Sequence, residues 1–176
     1  MKNSLQLCAE MVGNMRLRKL KRKDAPYMLE WMKDSNIVQY MRSDFSNKTM
    51  NDCEEFIEYS WKDKFNKHWA IVSTRDEYMG TVSLKNIEDD EAEFAIAIRS
   101  CAMGKGYSKY AMEKCIQYAF QNMKLKKVYW YVSMNNMRAI RFYEKNGYQL
   151  YNGTKEKGML GLNNNITYKW YAIYNL

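Results

Sequence analysis

Residues Ala92 to Ser133 constrain the possible folds of this chain more than any other stretch. AEFAIAI (92–98) is a short apolar run of strand character that leads straight into a loop containing Gly104-Lys105-Gly106. A helical pattern follows, with Ala111, Met112, Cys115, Ile116 and Ala119 on one face, and then Lys126 to Ser133, KKVYWYVS, rich in aromatic and β-branched residues. Strand, helix, strand on this scale predicts a crossover between parallel or near-parallel strands. Glycines at a helix entrance let backbone approach a ligand, and the free N–H groups there favour an anion such as phosphate. Neither standard nucleotide motif fits, because Gly106 is followed by Tyr107-Ser108 and Lys109 stands where the dinucleotide fingerprint needs its third glycine. On the loop alone, a phosphate cradle and a plain connecting turn both remain open.

Around this unit the chain reads as one domain from Met15 to Leu176, preceded by a weakly patterned extension, Met1 to Asn14. Met15 to Leu20 predicts a first strand, Asp24 an N-cap with Pro26 in the first turn, and Met28, Trp31 and Met32 the buried face of a helix. Asn36 to Met41 adds a further helical turn or two, and Thr49 caps a second full helix carrying Cys53, Phe56, Ile57 and Trp61. His68 to Ser73 and Tyr78 to Leu84 form a hairpin, with Gly80 at a bulge, and Glu88 to Glu91 is an acidic turn. Ala139, Ile140 and Tyr143 share a helical face that ends at Asn146-Gly147. Tyr148 to Tyr151 and Ile166 to Tyr174 are the closing strands, the latter approached by a turn at Gly161 to Asn165.

Composition narrows the function classes. No run of about 18 apolar residues exists, which excludes a membrane-spanning helix, and the sequence reads as that of a soluble, cytoplasmic protein. Four scattered cysteines and a single histidine, His68, argue against a metal site or a disulfide framework. His68 opens a strand with no triad partner nearby and is read as structural. A net charge of +8 suits an anionic partner without choosing one, and the Arg16 to Lys23 cluster is explained by a solvated strand face. Glu93 has two readings: an edge residue pointing into water, or a carboxylate placed for proton transfer.

AEFAIAI, then Met103-Gly104-Lys105-Gly106-Tyr107-Ser108, then a crossover strand, then Asn136-x-x-Ala139-x-x-x-Tyr143-x-x-x-Gly147-Tyr148 resembles the GCN5-related N-acetyltransferases (GNAT), over Met15 to about Tyr174. Within them it is similar to the branch holding ribosomal-protein N-terminal, polyamine and amino-sugar acetyltransferases. The resemblance implies an α/β (α+β) fold: a mixed, mostly antiparallel sheet of six or seven strands with splayed central strands, flanked by about four helices. It implies acetyl-CoA as acetyl donor and a primary amine as acceptor, with no membrane or nucleic-acid partner, and it is compatible with a homodimer. Backbone amides of Met103, Gly104, Lys105, Gly106, Tyr107 and Ser108 would face the pyrophosphate, main-chain groups of Ile96, Ala97 and Ile98 would pair with pantetheine, and Asn136 would hold the pantetheine or nucleotide end. Tyr143 would protonate the departing sulfur and Glu93 would take the ammonium proton through water. Trp31, Tyr40, Arg42 and Glu93 would line the acceptor site. Cys101 stands where the family often has Gln or Arg, which shifts that work to Arg99 or Lys105. The segment Gln39 to Phe45 is mixed in charge, which disfavours a polycationic acceptor and favours a nucleotide-linked amino sugar or another small amine, with a protein N-terminus or a polyamine as alternatives. A non-catalytic CoA-binding protein and a basic nucleic-acid-binding module are the readings of a different class.

Overall fold

Strand-forming runs and helical stripes alternate along the chain in the order the sequence predicts, and the computed structural model describes residues 15–151 and 168–175. The extension 1–14, the turn at 161–165 and the first residues of the last expected strand lie outside the described residues. The strands are β1 (Arg16–Arg18), β2 (Lys67–Val72), β3 (Tyr78–Glu88), β4 (Glu91–Ile98), β5 (Lys127–Ser133) and β6 (Tyr168–Tyr174). The α-helices among the described residues are α1 (Ala25–Met32), α2 (Ser35–Val38), α3 (Met50–Ser60), α4 (Tyr107–Gln121) and α5 (Met137–Lys145). The strands form one six-stranded sheet in sequential order. Every neighbouring pair is antiparallel except β4 and β5, which the α4 crossover makes parallel. Among the described residues the strand expected at Tyr148 to Tyr151 is represented by an isolated antiparallel bridge, Leu150 with Tyr171.

Period-two alternation divides the side chains between two cores. On one face Val82, Leu84, Phe94, Ile98, Val128, Trp130, Val132 and Tyr171 pack against Met112, Cys115 and Ile116 of α4 and against Ile140 and Tyr143 of α5. On the other, Ala70, Val72 and Tyr78 pack against Met28, Trp31 and Met32 of α1, Ile37 of α2, and Cys53 and Ile57 of α3. Side chains of this size contribute about 1.5–3 kcal/mol each when fully buried, so the two cores hold the helices on their respective faces.

Local chemistry accounts for the ends of the elements. Thr49 caps α3 by accepting from the Asp52 N–H while Asp52 Oδ2 accepts from the Thr49 N–H, a reciprocal box. Asp24 behaves differently from the N-cap expected of it. It makes no side-chain cap, and its carboxylate accepts from the Lys21 N–H and pairs with Arg18, 2.7 and 2.8 Å away, because a guanidinium fork binds it in two places. The β3–β4 hairpin turns through Asp89 and Asp90, both at positive φ, the backbone twist a two-residue hairpin prefers. Gly80 is next to a register shift between β2 and β3, and a Cβ there would overlap the Ala97 carbonyl oxygen, so the glycine permits a close approach of β3 to β4.

The basic cluster of the first strand is largely ion-paired. Asp76, in the β2–β3 turn, is approached by Arg16, Arg18, Lys21 and Lys23, and these cations hold its carboxyl well below the usual range. Arg22 adds pairs with Glu54 and Glu58.

Candidate active site

The feature that creates a site is a failure of pairing. β4 and β5 are in parallel register only over Glu91–Lys127, Ala92–Val128 and Glu93–Tyr129, yet β4 continues to Ile98 and β5 to Ser133. Beyond Glu93 the edges of the two strands diverge, so the main chain of Ile96, Ala97 and Ile98 borders a wedge that passes through the sheet. β4 remains tied on its other side to β3 as far as Gly80–Ile98, which keeps the open edge extended.

The glycine loop lies at the open end of β4. After a short 3-10 turn at Ser100–Ala102 the chain passes Gly104 (φ 74°) and Gly106 (φ 86°), and Gly106 is the N-cap of α4. Both glycines occupy the left-handed region that costs an L-residue about 1–2 kcal/mol. Among the described residues a Cβ on Gly104 would meet nothing within 4 Å, and one on Gly106 only Met15 Cε at 3.8 Å, so packing among them does not demand these glycines. No side chain caps α4 and no acidic residue lies in its first turn, where the N–H groups of Tyr107, Ser108 and Lys109 precede the first i→i−4 acceptor. Exposed Lys105 adds positive charge. A bare, cationic 15-residue helix N-terminus behind two left-handed glycines suits an anionic group such as a pyrophosphate. Arg99 is committed elsewhere: it donates to both carboxylate oxygens of Glu30 and to the Tyr78 carbonyl, and stacks over Tyr27 at 4.4 Å. Cys101 is an exposed free thiol.

The other lip is the turn after β5 and the start of α5. Asn136 caps α5, its Oδ1 accepting from the Ala139 N–H at 3.1 Å, so the side-chain oxygen is used locally. Arg138 reaches Met103 of the glycine loop, 2.8 Å from Sδ, linking the two lips. Tyr143 follows on the inward face of α5. The helix ends in a Schellman arrangement, Tyr148 N–H to Tyr143 carbonyl and Gly147 N–H to Glu144 carbonyl, with Gly147 at φ 77°. That turn folds Tyr148 back against Tyr143 and fixes Tyr143 within Trp130, Phe142 and Tyr171, at ring separations of 5.1–5.4 Å. Burial pushes the Tyr143 phenol above its ordinary value, which keeps it protonated at neutral pH.

Glu93 lies at the closed end of the wedge and on the opposite sheet face from Tyr143. It is 3% exposed and belongs to a central strand, so the solvated-edge reading does not describe it. Its carboxylate is met by Lys85 Nζ at 2.7 Å and by Asn86 Nδ2 at 3.0 Å. On the same face Arg42 donates to the Tyr131 phenol, which holds its guanidinium above the ordinary value, and it feels the charge of Glu93. Tyr131 packs against Tyr168 and Trp170, and Tyr129 stacks on Trp170. Tyr40 is half-buried near this segment in sequence, whereas Trp31 is 5% exposed, with its indole N–H donating to Tyr78 and its ring on Phe45. The structure therefore brings Glu93 and Arg42 together and leaves Trp31 in the core. Sequence reading missed Tyr131, Tyr168 and Trp170; the alternating aromatics of KKVYWYVS and TYKWYAIY are the signal for them, since the register sets Tyr131 beside Trp170.

His68 is structural. Its Nδ1 is 2.7 Å from Ser83 Oγ, its ring meets Phe56 edge-on, and burial pushes its imidazole down to about 4.

Comparison with known proteins agrees with this fold. Residues 14–149 match the model of the acetyltransferase (GNAT) domain. The chain is 25% identical to spermidine N(1)-acetyltransferase of Vibrio cholerae over 140 residues, covering 78% of this chain and 80% of that one. It is 24% identical to acetyltransferase PseH of Campylobacter jejuni over 131 residues, 73% of this chain and 79% of that one. Among solved structures, the V. cholerae spermidine N-acetyltransferase in complex with CoA and spermine superposes with a TM-score of 0.78 at 23% identity, over 92% of this chain and 96% of that one. A GNAT-family acetyltransferase from Bacillus anthracis gives 0.75 at 21% identity, over 92% and 95%. Among the described residues no helix is long and apolar enough to cross a membrane.

Proposed function

The chain belongs to the GNAT family of acetyltransferases, with acetyl-CoA as acetyl donor, and from that premise we propose that it acetylates a primary amine by direct attack within a ternary complex. The observation that carries this reading is the wedge: β4–β5 pairing stops at Glu93, and Tyr143 packs on Trp130 of the unpaired part of β5 from the opposite sheet face. Bound acetyl-CoA supplies an activated thioester. The N–H groups at the α4 N-terminus and Lys105 hold its pyrophosphate, and the open β4 edge at Ile96, Ala97 and Ile98 orients the pantetheine like an added strand. Asn136 borders the same arm. Glu93, anchored by Lys85 and Asn86, keeps carboxylate lone pairs with which to draw the ammonium proton away through water. Tyr143, protonated and shielded by its aromatic neighbours, returns a proton to the departing sulfur.

The acceptor is a small amine that also carries an anionic group, a nucleotide-linked amino sugar being the best fit. Exposed Arg42 offers charge for a phosphate, and Tyr131, Tyr168 and Trp170 offer ring faces for a sugar or base. A polyamine is the second reading, favoured by the likeness to spermidine N(1)-acetyltransferases; against it, Glu93 is already matched by Lys85. The test is mass-spectrometric screening for acetylated products with acetyl-CoA and separate pools of nucleotide amino sugars, N-terminal peptides, polyamines and amino acids. Acetylation in the amino-sugar pool, with spermidine near background, is the expected result. A preference for spermidine transfers the assignment to the second reading, and CoA binding without transfer to any pool overturns catalysis.

A further inference from the structure

β3 carries an irregularity that the reaction scheme does not use. Its register with β4 jumps from Lys85–Glu93 to Glu88–Glu91, so Asn86 and Ile87 oppose the single residue Ala92. Asn86 takes φ 51°, a left-handed conformation within an 11-residue strand. In a regular strand Lys85 and Asn86 would point to opposite faces. The bulge turns Asn86 to the Lys85 face, and both side chains reach Glu93. Backing comes from the segment before β2. The Asn86 N–H donates to Asn66 Oδ1 at 3.0 Å and the Ile87 N–H to the Phe65 carbonyl at 2.9 Å. Asn66 in turn donates to Asp63, which is 5% exposed and also accepts from the Phe65 and Asn66 N–H groups. The left-handed region is unfavourable within a strand even for Asn, which tolerates it best among non-glycine residues, and here the surroundings enforce it beside the carboxylate.

We propose that Asn86 is a positioning residue for Glu93, and that the β3 bulge, braced by Asn66 and Asp63, exists to aim its amide at the Glu93 carboxylate. This rests on the reading of Glu93 as the proton acceptor. Lys85 holds Oε1, Asn86 holds Oε2, and the two together fix the carboxylate plane at the closed end of the wedge. The charged groups facing Glu93 are Lys85 from β3 and Arg42 from the loop after α2, with Tyr129 opposite it on β5.

Two substitutions separate positioning from mere stability. Asn86→Gly keeps the left-handed backbone and removes the amide; Asn86→Asp keeps the shape and sets a second carboxylate against the first. Turnover is measured with the best acceptor from the amine pools, and the Glu93 carboxyl is titrated by carbon-13 NMR in the acceptor-free enzyme, its resonance assigned by loss in Glu93→Gln. Asn86→Gly is expected to lower kcat about 10-fold with KM for acetyl-CoA unchanged within about twofold. Asn86→Asp is expected to raise the Glu93 midpoint, and with it the acidic limb of the kcat profile, by about one pH unit or more. Variants that melt earlier yet keep the wild-type midpoint and kcat overturn the positioning role. Glu93→Gln with full turnover and an unchanged pH profile overturns the premise, and the proposal with it.

Discussion

Replacing Gly106 by Ala tests whether the glycine loop serves a ligand or only a turn. At φ 86° an Ala Cβ costs about 1–2 kcal/mol of backbone strain, and its only neighbour among the described residues would be Met15 Cε at 3.8 Å, so they add no packing term to it. For a domain of this size that corresponds to a melting temperature about 2–8 °C lower. If the N–H groups behind Gly106 hold a pyrophosphate, relieving the strain by rotating φ turns them away. Losing one charge-assisted hydrogen bond of about 1.5–3 kcal/mol raises KM for acetyl-CoA about 10- to 100-fold. Gly147 supplies a strain-matched control, because it has φ 77°, no described neighbour within 4 Å of its Cβ position, and a place at the far end of α5. Gly106→Ala and Gly147→Ala should therefore lose similar thermal stability, followed by differential scanning fluorimetry, while only the first raises KM in a CoA-release assay. Equal melting shifts with KM unchanged within about twofold in both would refute the pyrophosphate reading.

Tyr143→Phe should lower kcat about 100-fold and leave KM for acetyl-CoA nearly unchanged; equal losses in turnover and CoA binding would instead mark the ring as a packing element. Because the imidazole of His68 titrates near 4 in the native state and near 6.5 when unfolded, the unfolded chain binds a proton that the native protein lacks at intermediate pH. Stability should thus decline as pH falls below 6.5 and level off below about 4, by about 3 kcal/mol in urea titrations, and His68→Gln should flatten that part of the curve. Thr49→Ala removes the cap of α3 and should cost about 1 kcal/mol by the same measurement, with catalysis unaffected. Arg42→Glu should shift acceptor preference toward polycations, read as the ratio of kcat/KM for spermidine to that for a phosphorylated amino sugar.

How far the sequence discloses this molecule depends on the range of the interactions concerned. Asn146-Gly147 announces the end of α5, and the structure completes it as two specific backbone bonds that also set Tyr143. The crossover between AEFAIAI and KKVYWYVS is equally legible, because hydrophobic period and connection length determine it locally. Glu93 shows the limit. Alternation says which face a residue occupies and nothing about where its strand lies in the sheet, so an edge position and a central one read alike. Asn86 was illegible for a related reason: its role comes from a left-handed φ enforced by Asn66, 20 residues earlier. Asp24 has the look of a helix cap, but its carboxylate is taken by the Arg18 guanidinium six residues earlier and by the Lys21 N–H, a charge-assisted competition that helix-start patterns leave out.

The divergence of β4 and β5 also bears on solubility. Soluble domains place unpaired strand edges at the periphery and blunt them with charge, bulges or covering loops, because such edges recruit other chains. Here two of them lie within the sheet, at Phe94 to Ile98 and Trp130 to Ser133, where neither sequence bears a blunting charge. A donor molecule threaded along the β4 edge, as proposed for pantetheine, would act as a removable seam. Keeping the protein saturated with CoA during heating should therefore delay aggregation by more than its effect on the unfolding midpoint alone would give.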